Sequence, residues 1–260
     1  MSCWPEFTVR GVHFCATRPA ILVPLFAADP ETLCRQAETA QAAPEADVVE
    51  LRLDALPPAQ YAATVEAVRK LVQKPLLATV RTRTEGGEAE LQGRAYADAC
   101  AALLDLPQRP DLLDVEFCLP EPLRADLTAK AKAAGVAVVY SAHRFDLTPP
   151  TDEMTDLLCA MADTGADIAK LAVMPHTAAD AARLLQATAQ AAERCPHTPL
   201  LTMSMGALGA VTRFCGGAFG SAATFGTLQV ASAPGQPPAA QLRQKCIGAG
   251  SEGEAVTEGD

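Results

Sequence analysis

The sequence predicts a single (β/α)8 barrel, the TIM-barrel form of the α/β class, in which helices surround eight parallel strands. Three observations support this fold. The chain has 260 residues, which suits one large domain. Eight short apolar runs recur along it, and Ala-rich stretches of helical character separate them. A doubly wound open sheet is the alternative, but no glycine-rich phosphate-binding sequence follows the first run.

A short alternating segment comes before the repeat. Residues Phe7–Phe14 alternate between apolar and polar side chains around Gly11, a pattern that is typical of a small hairpin. We therefore expect residues 1–19 to form an N-terminal cap, with a β-hairpin closing one end of the barrel.

The predicted strands are runs rich in Val, Leu, Ile and Ala. In chain order they are Ile21–Phe26, Val48–Asp54, Leu76–Arg81, Leu112–Phe117, Ala137–Ser141, Ile168–Val173, Leu200–Met205 and Ala222–Gly226. The predicted helices between them include Pro58–Val72, Tyr96–Leu104, Glu121–Ala134, Asp152–Thr164 and Ala178–Arg194. Asp152 and Asp180 stand where the N-caps of two of these helices are expected.

The repeat is predicted to form one domain, the barrel, over residues 1–247. The stretch after Gln244 is a weak helix former, so the last helix is expected to be short. Residues 248–260 are rich in Gly, Glu and Ser, and we expect them to form a disordered tail.

Composition excludes several kinds of partner. The formal net charge is −10 and no basic stripe is visible, so we expect no nucleic-acid partner. No stretch approaches the roughly 20 apolar residues of a membrane span, and the first residues do not resemble a signal peptide, so we expect no membrane partner. The nine cysteines have no C-x-x-C spacing and no metal-site spacing with the histidines. This predicts reduced thiols, no metal site and a cytoplasmic protein.

Lys170 is the most informative residue of the chain. It lies inside the apolar run Ile168–Val173, where a cation is unexpected. An ordinary lysine has a pKa of about 10.4, and burial in an apolar strand lowers that pKa and makes the amine nucleophilic. Lys170 is therefore a candidate for Schiff-base formation with a carbonyl substrate. The alternative is a lysine at a strand end whose ammonium group reaches out to water.

Polar side chains also gather near the C-terminal ends of other predicted strands, where barrel active sites form. These residues are Glu50, Arg52, Asp54, Thr79, Arg81, Asp114, Glu116, Ser141, His143, Met203 and Met205. Residues i and i+2 of a strand share a face. Taken singly, the charged residues could belong to strand faces exposed to solvent. His143 could have a structural role, and the two methionines could belong to the hydrophobic core. Because parallel strands are normally covered on both sides, the coincidence favours one polar site.

Seven longer segments carry a more specific pattern. They are E-L-R-L-D (50–54), R-T-R-T-E-G-G-E (81–88), S-A-H-R-F-D-L-T-P (141–149), A-D-I-A-K-L-A-V-M-P (166–175), M-S-M-G (203–206), T-R-F-C-G-G-A-F-G-S-A-A-T-F-G (212–226) and S-A-P-G-Q (232–236). Together, and in this order, they resemble the type I 3-dehydroquinate dehydratase family from about Ile21 to Arg243. The resemblance implies a homodimeric (β/α)8 barrel of the shikimate pathway. It also implies a small-molecule substrate, 3-dehydroquinate, and no metal or dissociable cofactor.

The resemblance also implies a role for each candidate residue. Lys170 corresponds to the imine-forming lysine, His143 to the general acid/base, and Glu85 to the carboxylate that orients the histidine. The positions that correspond to contacts with the substrate hydroxyls are Glu50, Arg52 and Arg81. The positions that correspond to contacts with the substrate carboxylate and the closing loop are Arg213, Ser232 and Gln236. The positions that correspond to the apolar wall beside the ring are Met203 and Met205.

The implied chemistry is a syn elimination of water. Lys170 attacks the ring ketone, and the protonated imine acidifies the adjacent carbon–hydrogen bond. His143 removes that proton and later protonates the departing hydroxyl. The glycine-rich stretch 216–235 is expected to close over the site as a lid. Pro24 and the pair Gly216-Gly217 depart from the family pattern, but every candidate catalytic residue is present.

Two other functions stay open at this point. A class I aldolase would share the lysine, although Arg213 and the S-A-P-G-Q segment suit a carboxylate better than a sugar phosphate. A non-catalytic binding or regulatory barrel is the second alternative, and the presence of both Lys170 and His143 weighs against it.

Overall fold

The computed structural model describes residues 7–228 and 235–246. Its strands are β1 (Phe7–Val9), β2 (Val12–Phe14), β3 (Ala20–Leu25), β4 (Val48–Arg52), β5 (Leu76–Thr79), β6 (Leu112–Glu116), β7 (Ala137–Arg144), β8 (Ile168–Val173), β9 (Leu200–Ser204) and β10 (Ala223–Phe225). Its helices are α1 (Pro30–Ala42), α2 (Tyr61–Leu71), α3 (Gly93–Leu104), α4 (Glu121–Ala133), α5 (Thr151–Asp163), α6 (Ala178–Arg194), α7 (Gly206–Cys215) and α8 (Ala239–Lys245). From β3 onward, strands and helices alternate strictly.

Strands β3 to β10 form one parallel sheet that curls into a barrel. Neighbouring strands follow chain order from β3 to β9, and β10 pairs with residues 20–22 of β3. At the last seam, the Ala222 N–H donates to the carbonyl oxygen of Leu200 at 2.7 Å. The predicted (β/α)8 barrel is therefore confirmed, and the open-sheet alternative is wrong.

The N-terminal hairpin covers the end of the barrel at which the strands begin. Its two turn residues, Arg10 (φ 46°) and Gly11 (φ 79°), both have the positive φ that a two-residue type I′ turn requires. The rings of Phe7 and Phe14 lie 5.5 Å apart. The hairpin packs against apolar side chains that fill the barrel interior, among them Leu22, Val48, Leu77, Leu112 and Ile168. This packing confirms the predicted cap.

A second apolar layer lies between the sheet and the helices. Val49 and Leu51 of β4 are fully buried in the same cluster as Leu33 of α1 and Val65 of α2. Because both faces of each strand are covered, the strands appear in the sequence as nearly continuous apolar runs. A charged residue inside such a run must therefore point into the barrel or disrupt the packing of the helices.

Two helix starts differ from the prediction. Helix α5 begins at Thr151 after Pro150, and Asp152 lies in its first turn instead of at the N-cap. The N-cap of α6 is Thr177, and Asp180 is the third residue of a capping box in which each side chain accepts from the other's backbone N–H. Carboxylates are favourable throughout the first turn of a helix, so an aspartate alone does not fix the N-cap.

The glycine-rich stretch 216–235, predicted to form a lid, lies within the described residues only at 216–228 and at Gly235. Residues Gly216–Phe219 form a 3-10 turn and residues Ala223–Phe225 form the buried strand β10, so this part belongs to the barrel wall and not to a lid. Ser232 lies outside the described residues, as do the predicted domain end at residue 247 and the tail 248–260. Helix α8 is short, as expected.

None of the described helices combines the length and the apolar character that a membrane span requires. The cysteines within the described residues are free thiols, and Cys3 lies outside that range.

Candidate active site

A cavity opens at the C-terminal ends of the barrel strands. The side chains that line it are Glu50, Arg52, Arg81, Glu85, Gly86, His143, Phe145, Lys170, Ala172, Met203, Met205, Arg213, Phe225 and Gln236. The structure therefore brings together all of the predicted site residues except Ser232, which lies outside the described residues. Four lining residues were not predicted from the sequence: Phe145, Phe225, Gly86 and Ala172. Of these, Phe145 follows His143 by two positions in the S-A-H-R-F-D segment, and this spacing places it near the same site.

Lys170 is held inside the barrel. Its side chain is only 5% exposed, and its Nζ lies 3.1 Å from Asp114 Oδ2 and 3.5 Å from Glu50 Oε1. The ring of Phe225 is 4.8 Å from the same nitrogen. The alternative of a lysine that reaches out to bulk water is therefore wrong, because two carboxylates and a ring fix the amine in the mouth of the barrel.

Arg81 organises the carboxylates below the cavity. It donates to Asp114 at 2.7 Å, to Glu116 at 3.1 Å and to the hydroxyl of Ser141 at 3.0 Å. Burial disfavours its charge, but the Asp114 and Glu116 carboxylates outweigh that cost and raise the pKa of Arg81. Asp114 and Glu116 are both buried, so the interpretation of an exposed acidic pair is wrong.

His143 and Glu85 form a hydrogen-bonded pair at the cavity wall. The Nδ1 of His143 lies 2.8 Å from Glu85 Oε2, so Nε2 is the nitrogen that this contact does not engage. Burial, together with nearby Arg81 and Lys170, lowers the pKa of His143 well below its ordinary value. Burial also raises the pKa of Glu85 to about 7, against the opposing effect of Arg81. Both shifts favour a neutral imidazole at neutral pH, which suits a general base.

Two adjacent glycines bring Glu85 to this position. Gly86 has φ 79°, and a Cβ there would lie 2.1 Å from the ring of Phe145; a Cβ at Gly87 would lie 2.1 Å from the backbone oxygen of Arg81. The loop can therefore fold onto the end of β5 and beneath Phe145 only because both positions lack a side chain. The ring of Phe145 is in turn stacked 6.2 Å from the imidazole of His143.

Glu50 and Arg52 line the side of the cavity formed by β4. Arg52 makes a two-pronged ion pair with Asp54, at 2.7 and 2.8 Å, and Asp54 also accepts from the Glu88 N–H at 3.0 Å. Glu50 accepts from the hydroxyl of Thr79 at 3.0 Å. Glu50 and Asp54 are buried, so this segment is not a solvated strand face.

Arg213 differs from the other cations of the site. It is 2% exposed, its Nε has no hydrogen-bond partner, and within the described residues its guanidinium contacts only the sulfur of Met203, at 3.6 Å. Burial lowers the pKa of Arg213 to about 10, so the group stays charged at neutral pH. A buried cation without an anion is costly. Within the described residues, no carboxylate pairs with the Arg213 guanidinium, which lies in the cavity wall with Met203 and Met205.

Across the residues that the structure describes, no group of three or more His, Cys, Asp or Glu side chains is arranged to hold a metal ion. Ionisable side chains that converge on the C-terminal mouth of such a barrel define an enzyme of the (β/α)8 class.

Comparison with known proteins narrows this class. A profile of the type I 3-dehydroquinase family matches residues 21–246, and the chain belongs to that family. It is 39% identical over 243 residues to a 3-dehydroquinate dehydratase of Syntrophotalea carbinolica, an alignment that covers 90% of this chain and 94% of the relative. A 3-dehydroquinate dehydratase of Enterococcus faecalis is 39% identical over 241 residues, covering 90% and 94% of the two chains.

Solved structures agree with the sequence comparison. The type I 3-dehydroquinate dehydratase of Clostridium difficile, solved with covalently modified comenic acid, superposes with a TM-score of 0.88 at 30% identity, covering 94% of this chain and 97% of that one. The 3-dehydroquinate dehydratase of Geobacillus kaustophilus gives a TM-score of 0.87 at 33% identity, with 94% and 96% covered. The predicted family membership is therefore confirmed.

Proposed function

We propose that this chain is a type I 3-dehydroquinate dehydratase of the shikimate pathway, which converts 3-dehydroquinate to 3-dehydroshikimate through a Schiff base on Lys170. The family membership supports the reaction. The observation that carries the mechanism is the buried amine of Lys170 on β8 next to the His143–Glu85 pair on and beside β7. Ser141 of β7 is in register with Lys170, so His143 lies two residues nearer the mouth on the same face.

Substrate binding uses the charges of the cavity. The guanidinium of Arg213, which pairs with no carboxylate of the described residues, receives the substrate carboxylate through two parallel hydrogen bonds. The ring hydroxyls contact Glu50, Arg52 and Arg81, and the ring lies against the two methionines. Gln236, which lines the cavity, is a further contact for the carboxylate, and the family resemblance assigns the same role to Ser232. This arrangement also favours the dehydratase over an aldolase, because it supplies one buried cation for a carboxylate.

The covalent steps follow from the positions of the two central groups. The Lys170 amine adds to the ketone carbon, and loss of one water gives a protonated imine that withdraws electrons from the adjacent carbon. The neutral His143 removes a proton from that carbon through Nε2, and its imidazolium form then protonates the leaving hydroxyl. Hydrolysis of the product imine returns the free lysine, so the net change is the loss of one water from the substrate.

The reaction itself is directly observable. Incubation of the purified chain with 3-dehydroquinate should produce the ultraviolet absorbance of the conjugated enone in 3-dehydroshikimate. Retro-aldol fragments in place of that absorbance would instead indicate the aldolase. Binding of 3-dehydroquinate without turnover would indicate a binding barrel.

Arg213→Ala should weaken substrate binding by roughly ten- to 200-fold, since a charge-assisted hydrogen bond contributes about 1.5–3 kcal/mol. Lysine at the same position should restore only part of the affinity, because it lacks the planar fork. The measurement is the affinity for 3-dehydroquinate and for an analogue in which an amide replaces the carboxylate. Arg109→Ala, a change of an exposed arginine, is the control. An equal penalty for both ligands would show that Arg213 does not bind the carboxylate.

The quaternary structure and location extend the same proposal. We propose a homodimer in the cytoplasm, with residues 1–247 as one domain. Leu208 and Val211, one turn apart on α7, are 51% and 53% exposed, and such neighbouring apolar side chains are typical of surfaces that a partner covers. Light scattering should give twice the chain mass. A monomer at micromolar concentration would contradict the dimer.

A further inference from the structure

Asp114 lies directly behind the lysine of the site. Its side chain is completely buried and does not line the cavity. One carboxylate oxygen, Oδ2, is 3.1 Å from Lys170 Nζ, while the other accepts from Arg81 at 2.7 Å and from the hydroxyl of Ser141 at 2.6 Å. Three donors therefore fix this carboxylate, Arg81 from the loop after β5, Ser141 from β7 and Lys170 from β8, and one of its oxygens is directed at the lysine.

The charged groups around Lys170 differ in their access to the cavity. Glu50 faces the amine from β4 at 3.5 Å, Asp114 from β6 at 3.1 Å, and His143 belongs to the adjacent strand β7. Arg81, two residues after the end of β5, shares the Asp114 carboxylate. Glu50 and His143 line the cavity and are available to a substrate, whereas Asp114 is not. Asp114 therefore acts only through the groups that it contacts.

We propose that Asp114 is the positioning residue of Lys170: it holds Nζ toward the barrel axis and is the counter-ion of the protonated imine. This inference rests on the proposed Schiff-base function. When the amine nitrogen becomes an imine nitrogen, its remaining N–H donates to Asp114 Oδ2, which is already in place. The imine then stays protonated and keeps its ability to withdraw electrons from the ring.

The protonation state of the Asp114 carboxylate fits its role as a counter-ion. Burial favours the neutral acid, but Arg81 and Lys170 outweigh it and lower the pKa of Asp114, so the group is ionised at neutral pH. A fixed negative charge that is already dehydrated needs no rearrangement when the positive charge of the imine appears.

Asp114→Asn tests the proposal because it keeps the shape and removes the charge. Glu116→Gln is the matched control: Glu116 lies on the same strand, is also buried and accepts from the same Arg81, but the carboxylates that pair with Lys170 are Asp114 and Glu50. Acetic anhydride at pH 8 should modify Lys170 about tenfold or more faster in Asp114→Asn, because the amine is then no longer held by the carboxylate 3.1 Å away. Peptide mass spectrometry measures this rate, and Glu116→Gln should leave it unchanged.

A second readout uses the imine itself. With 3-dehydroquinate and borohydride, the yield of trapped protein should fall to half at a pH about one to three units lower in Asp114→Asn than in Glu116→Gln. Ser141→Ala removes one hydrogen-bond donor from the Asp114 carboxylate. The ion pair between Asp114 and Lys170 should then become stronger, so the acetylation of Lys170 should become slower. This opposite change keeps the proposal testable if Asp114→Asn fails to fold.

The possible failures are distinguishable. If wild-type Lys170 is not trapped by borohydride, the Schiff-base function is wrong, while the acetylation rates still report on the Asp114 contact. If wild type is trapped and Asp114→Asn behaves like Glu116→Gln in both measurements, Asp114 is only a structural partner of Arg81 and the proposal is overturned.

Discussion

Replacing Lys170 with alanine should reduce dehydration of 3-dehydroquinate to the background level while the barrel stays folded. Among the residues that the structure describes, Lys170 is the one lysine that lines the cavity, so we expect no neighbour to supply the amine that forms the imine. The loss is expected in kcat and not only in substrate affinity, because the covalent step itself disappears. Enone absorbance under saturating substrate is the measurement, and circular dichroism checks the fold.

The controls for this variant separate chemistry from stability. Alanine leaves Asp114 and Glu50 without their shared cation, and loss of one partner of a buried ion pair is destabilising. Lys170→Arg keeps a cation there but provides no free amine near neutral pH, so it should be inactive with the smaller loss of stability. Lys132→Ala, at an exposed position, should be fully active.

Borohydride trapping gives the decisive comparison. In the presence of substrate, wild type and Lys132→Ala should each gain the mass of one reduced adduct, and neither Lys170 variant should. A label on a different lysine, or residual turnover in Lys170→Ala well above background, would contradict the assignment of the imine to Lys170.

The barrel could be predicted because apolar side chains cover its strands on both faces, inside the barrel and beneath the helices. This arrangement produces a recognisable pattern in the sequence. Strands covered on both faces become short apolar runs, and eight of them alternate with helices. Lys170 could be singled out for the same reason, since a cation in such a run has to point into the barrel. The hairpin was predictable from its alternation and from Gly11, whose positive φ the turn requires.

The contacts between the site residues could not be predicted from single segments of the sequence. Arg81 follows β5, Asp114 lies on β6 and Ser141 on β7, and their contacts exist only once the barrel closes and sets the register. The packing of Phe145 on Gly86 joins two loops that are far apart in the chain. Residue-by-residue interpretation therefore suggested exposed acids and solvated faces where the structure has buried ion pairs.

The lid prediction is wrong for residues 216–226 for a related reason, and residues 229–234 of the predicted lid lie outside the described residues. The stretch 216–226 contains many small residues, a composition shared by mobile loops and by backbone that packs closely. In this barrel, Gly216 and Gly217 are buried and β10 must close the sheet against β3. The composition of residues 216–226 does not distinguish a mobile loop from closely packed backbone. Their contacts with the rest of the barrel do.

His143→Ala should still form the imine with 3-dehydroquinate but should lose the elimination of water. A general acid–base group contributes roughly 10²–10⁴-fold to a rate, and here one imidazole serves two proton transfers, so the loss should reach or exceed the upper end. The measurements are kcat from the enone absorbance and, separately, the yield of borohydride-trapped protein. The kcat should fall by the expected factor, and the yield of trapped protein should remain close to that of wild type.

Two further variants show whether this loss arises from the imidazole itself. His13→Ala changes an exposed histidine of the hairpin, at the opposite end of the barrel, and should leave kcat unchanged. Glu85→Gln keeps a side chain within reach of His143 Nδ1 but removes the carboxylate, so it should cost less than His143→Ala because the base remains. If His143→Ala retains kcat within tenfold of wild type, another group moves the protons. If trapping is lost together with turnover, His143 is needed to form the imine, and the division of labour between the lysine and the histidine is different from the one proposed.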